Sequence, residues 1–184
     1  MFTGSNLIFK DSRVDKLLLK HGYNNSVVFY SPIQIWLFLL VMLILQGAFF
    51  VFIWVFNTLL GRYLTSLYLL ISYLLSAYLN NSFACTSSEL IVVNPNFPFR
   101  KCRRYSLDEI EVIVIDKRKL WLLSVFGILG GGNYLELKVK GKKRRYFCVG
   151  LDTDACDENF TEKTIEELDQ WLKRHGISTQ YNLD

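Results

Sequence analysis

From Tyr23 to Gly61 the chain runs thirty-nine residues without an Asp, Glu, Lys or Arg, and Arg62 alone separates that run from a second uncharged stretch, Tyr63–Leu79. A bilayer core takes about 20 apolar residues of helix to cross. Residues 33–56, IQIWLFLLVMLILQGAFFVFIWVF, meet that length, and residues 63–79, YLTSLYLLISYLLSAYL, meet it at the short end. The pattern predicts a transmembrane helical hairpin over 33–82, because a buried soluble helix of this length normally keeps a charged face. Ser72 and Ser76 lie one turn apart and predict a packing seam between the two helices. The connector 57–62 is short, so both flanks are expected on one side of the membrane. Lys10, Arg13, Lys16 and Lys20 before the hairpin, against Arg62 at its tip, set that side as cytoplasmic. The expected location is therefore the bacterial inner (cytoplasmic) membrane, multi-pass, with both termini in the cytoplasm. Residues 1–32 form an N-terminal tail whose Val14, Leu17 and Leu18 fall at helical spacing. That stripe suits either an amphipathic helix on the inner leaflet or one packed on the downstream domain.

After Asn80 the period changes from helix to strand. Phe83–Thr86, Leu90–Val93 and Glu111–Ile115 are rich in residues that favour strands. Asn94-Pro95-Asn96-Phe97-Pro98 marks a turn. Residues 134–140, YLELKVK, alternate apolar and charged positions, and RRYFCV at 144–149 returns as the partner strand of a hairpin. A helix is expected from about Glu162 to His175, started by Asn159 with Glu162 and stopped by Gly176. The pattern therefore predicts antiparallel strands followed by one helix over 83–184.

The residues FACTSSELIVVN (83–94), RKCRRYSLDEIEVIVI (100–115), the Gly-rich stretch before YLELKV and the final helix resemble bacterial pleckstrin-homology-like (PH-like) membrane proteins. The resemblance implies an α+β membrane protein. A two-helix transmembrane hairpin precedes a cytosolic PH-like antiparallel sheet or barrel capped by a C-terminal α-helix. That family shares no catalytic residue and no cofactor, so the resemblance implies binding or scaffolding rather than a reaction.

Charge and cysteines narrow the function classes further. The net charge of +4 is spread along the chain and does not point to nucleic acid. The four cysteines, Cys85, Cys102, Cys148 and Cys156, form no C-x-x-C pair and have no neighbouring histidine, which argues against zinc. No nucleophile–base motif and no phosphate loop is present, so no enzyme activity and no cofactor are expected. The acidic run Asp152, Asp154, Asp157 and Glu158 lacks the Gly and the final Glu of a calcium-binding loop.

Two groups stand out as candidate contacts. Arg100, Lys101, Arg103 and Arg104, with Lys142, Lys143, Arg144 and Arg145 as a candidate extension, form a basic cluster suited to an anionic lipid or other anion. Lys117, Arg118, Lys119, Trp121, Leu122 and Phe126 mix basic and apolar residues in the manner of an interaction surface. The expected partners are the lipid bilayer and another protein. The leading reading is a membrane-anchored scaffold that binds a protein. The alternatives are an anionic-lipid sensor at the inner leaflet and an immunity protein against a membrane-acting toxin.

Overall fold

The computed structural model describes residues 11–29, 59–117, 133–147 and 167–182. Helix α1 (Ser12–Lys20) leads into strand β1 (Val27–Phe29), and helix α2 (Leu59–Leu79) leads into β2 (Ser82–Cys85), β3 (Glu89–Asn94) and β4 (Lys101–Ser106). A 3-10 turn, Leu107–Glu109, connects β4 to β5 (Ile110–Lys117). Strands β6 (Asn133–Val139) and β7 (Lys142–Phe147) form a hairpin. Residues 167–174 form a helix, α3, which precedes β8 (Thr179–Asn182).

The strands make two four-stranded sheets, ordered β1-β2-β3-β4 and β7-β6-β5-β8. The first is antiparallel throughout, and the second is mixed because β8 runs parallel to β5. Alternation along each strand assigns the faces. Phe29, Phe83, Cys85, Leu90, Val92 and Tyr105 of the first sheet share one core with Ile113, Ile115, Leu135, Leu137 and Tyr146 of the second. Leu168 and Leu172 of α3 complete that core. The other face of the first sheet presents Ala84, Ile91 and Val93, and α1 covers it with Val14, Leu17 and Leu18.

Local chemistry sets the element ends. Asp11 caps α1 by accepting from the Arg13 amide at 3.0 Å. The β6–β7 loop is two residues long, and both Lys140 (φ 49) and Gly141 (φ 73) take positive φ, as a hairpin with a primed turn requires. Gly176 (φ 75) ends α3, where the Ile177 amide donates to the Leu172 carbonyl at 3.0 Å and that of Gly176 to Lys173 at 3.0 Å.

The structure corrects the membrane reading. Among the described residues no helix is long and apolar enough to cross a membrane. This overturns the expected transmembrane hairpin, the membrane-protein fold and the multi-pass inner-membrane location with cytoplasmic termini. The expected second span, 63–79, lies inside α2, a helix of 21 residues. Tyr63, Tyr68, Tyr73 and Tyr78, with Ser66, Ser72 and Ser76, dilute its leucines, and Gly61 and Arg62 occupy its first turn. The expected first span, 33–56, lies outside the described residues.

The expected sheet or barrel closed by a final helix is also revised. A strand from upstream of α2 pairs with β2, Val27 opposite Cys85 and Phe29 opposite Phe83. A further strand follows α3 and lies beside β5, Ile113 opposite Thr179. The result is an α+β fold of two facing sheets, with helices on an outer face and at the core.

Candidate functional site

Strand β4 carries three of the four residues of the expected basic cluster, and its alternation divides them. Lys101 and Arg103 share a face with Tyr105, whereas Arg104 shares the opposite face with Cys102. Arg104 points to the side covered by α1. There Tyr23 donates to Glu89 at 3.0 Å. The bond to Tyr23 and the nearby Glu89 raise the Arg104 pKa further above its already high value. Arg100 precedes the strand and is exposed.

Lys101 and Arg103 lie where the two sheets meet. β4 and β7 are edge strands of different sheets. The Tyr105 hydroxyl of β4 and the Tyr146 hydroxyl of β7 share a hydrogen bond in which either oxygen can donate. Their rings are tilted at 60° with centroids 6.1 Å apart. Burial, and then the bond to Tyr146, push the Tyr105 phenol up to about 12. Arg103 donates to the Tyr146 hydroxyl at 3.4 Å. The Lys101 ammonium stands 5.1 Å from the Tyr146 ring centre and 6.0 Å from that of Tyr78 on α2. Burial, and then the neighbouring Arg103, hold the Lys101 pKa below the usual lysine range. Arg144 lies two residues before Tyr146 on β7 and acts electrostatically on Tyr105.

Tyr105 and Tyr146 were not singled out in the sequence. A signal for them exists: both edge strands carry Arg-x-Tyr, Arg103-x-Tyr105 and Arg144-x-Tyr146, which places Arg and Tyr on one face of a strand. What the sequence does not show is that these two strands face each other.

The second expected surface falls largely outside the described residues. Lys117 ends β5, and Arg118, Lys119, Trp121, Leu122 and Phe126 lie beyond it.

A different apolar surface is exposed instead. On α2, Leu60 is 68% exposed, Tyr63 67%, Leu64 58%, Leu67 53% and Leu70 54%. Leu60, Tyr63, Leu67 and Leu70 follow the 3-4-3 spacing of a helix–helix seam, and Leu64 lies beside it. The other end of α2 is fixed. Ser72, Ser76, Ala77 and Leu79 are buried, Tyr73 donates to the Phe97 carbonyl at 2.8 Å, and Asn81 donates to the Phe147 carbonyl at 2.5 Å. The helix therefore holds its exposed seam on a base anchored to both sheets. Among the described residues no group of three His, Cys, Asp or Glu side chains is placed to hold a metal ion.

No protein-family model matches the sequence, and no curated protein and no solved structure is similar to it.

Proposed function

We propose that this chain is a non-enzymatic binding or scaffolding protein that engages another protein, and that the exposed apolar face of α2 is its contact surface. The carrying observation is the row Leu60, Tyr63, Leu64, Leu67 and Leu70, each more than half exposed on one helix. Scattered surface leucines are ordinary, but a contiguous apolar face marks an interaction site. These side chains offer on the order of 600 Å² of apolar surface, most of the ~800 Å² per partner that a stable interface buries. From Tyr63 to Leu79 the helix has no charged residue. The surface therefore suits an uncharged apolar helix of the partner, read at the same three- and four-residue spacing.

The test is a paired isolation of the full chain, wild type and Leu64→Lys with Leu67→Lys, from its native cells. Both positions are exposed, so the double substitution should leave the fold intact. The proposal expects a stoichiometric protein with the wild type that is lost from the variant. The same companion on both chains, or a companion that proves to be a second copy of this chain, would overturn it.

A further inference from the structure

The seam between β4 and β7 concentrates positive charge that no carboxylate among the described residues neutralises. Lys101 and Arg103 lie against the joined phenols of Tyr105 and Tyr146, and Arg144, two residues before Tyr146, shares its face of β7. Among the described residues none of the three cations pairs with a carboxylate. The acidic groups of both sheets face elsewhere. Glu89 sits on the α1 side with Tyr23. Glu136 lies on the outer face of the second sheet, where Arg145 at 2.6 Å and Lys143 at 3.2 Å engage it.

We infer that Lys101, Arg103 and Arg144, grouped over the Tyr105–Tyr146 pair, form a binding site for the phosphate group of a small anionic ligand. Two guanidinium forks from opposite strands and one ammonium match a tetrahedral dianion in both charge and donor number. The floor is preorganised. Tyr146 is held by its bond to Tyr105 and lies 3.4 Å from the Arg103 guanidinium, so the phenol floor is in place before binding. Lys101 is half-buried between the Tyr78 and Tyr146 rings, and burial disfavours its charge; an anion beside it would favour that charge. Ring faces attract the ammonium but do not cancel its charge, so the tyrosines do not replace an anion. The site uses neither Leu64 nor Leu67 and is independent of the partner surface on α2.

Strand alternation supplies the control. Arg103 and Arg104 are adjacent and carry the same charge, yet they occupy opposite faces of β4. The full chain is titrated with inorganic phosphate, at ionic strength held constant with chloride, and followed by NMR. The expected result is saturable binding with one equivalent. Arg103→Gln and Arg144→Gln should each weaken it roughly tenfold, while Arg104→Gln changes it less than about twofold. Arg144→Gln sits on a different strand, so the test survives a folding defect in Arg103→Gln. Tighter binding of glycerol phosphate assigns the site to a phosphate ester, and equal binding assigns it to the free ion; both keep the site. Non-saturable shifts, or equal weakening in all three variants, would overturn it as general charge attraction.

Discussion

The side-chain amide of Asn94, at the end of β3, donates to the carbonyl of Ala77, near the end of α2, at 2.8 Å. Both residues are fully buried, and the Asn94 side-chain oxygen in turn accepts from the Asn96 amide at 2.9 Å. One side chain thus ties α2 to the first sheet and closes the turn between β3 and β4. Asn94→Ala should leave the Ala77 carbonyl and the Asn96 amide without these partners, and buried groups left so cost about 1–3 kcal/mol each. Urea unfolding should show a loss of about 2–6 kcal/mol. An unchanged midpoint would show that this contact does not hold the helix.

Helix α1 should behave as part of the core. Leu18 is 2% exposed against Ala84, Ile91 and Val93, whereas the adjacent Leu19 is 57% exposed. Leu18→Ala is expected to cost about 2–5 kcal/mol. Leu19→Ala should stay within about 0.5 kcal/mol of wild type. Equal effects in urea unfolding would mean that α1 is not packed on the sheet.

Glu136 should contribute a pH-dependent stabilisation. Arg145, with Lys143 beside it, holds its pKa below the ordinary 4.5 despite burial. A lowered folded value favours the ionised, folded form, so the contribution is complete above the unfolded pKa. It is lost as pH falls through the lowered folded value. Glu136→Gln should therefore be less stable than wild type at pH 7, and the gap should narrow below about pH 4. A gap that does not change with pH in parallel unfolding curves would contradict this.

Cys85 should be chemically silent while the chain is folded. Its thiol is buried among Phe83, Leu90 and their neighbours, and burial pushes its pKa well above the usual thiol range. Because the thiolate is the reactive form, iodoacetamide followed by peptide mass spectrometry should leave Cys85 unmodified in native protein. Denaturant should expose it to full alkylation. Rapid native labelling would place it outside the core.

Much of the strand content was legible because alternation and β-branched runs are local signals. β3, β5 and the β6–β7 hairpin lie where Leu90–Val93, Glu111–Ile115 and YLELKVK with RRYFCV indicate them. β1 was not legible: its three residues Val27–Phe29 are too few to show a period, and they lie inside a long uncharged run. β8 was missed for a related reason, since a parallel partner of β5 is set by tertiary packing and not by its own polar-rich sequence, Thr179–Asn182. The helix of α2 was legible, since 63–79 lies within Leu59–Leu79, but its attachment to the first sheet through Asn94 was not. The basic cluster was visible as composition, but its division between the faces of β4 follows from register. The pairing of Arg-x-Tyr on β4 with Arg-x-Tyr on β7 needed the two sheets to be brought together.

The most direct test of the partner-binding account is site-specific photo-crosslinking in native cells from position 67 on α2, compared with position 19 on α1. Both leucines are exposed, but only Leu67 belongs to the apolar seam. The account predicts one discrete crosslink to another protein from position 67 and none from position 19. No crosslink from position 67, the same products from both positions, or a product containing two copies of this chain would contradict it.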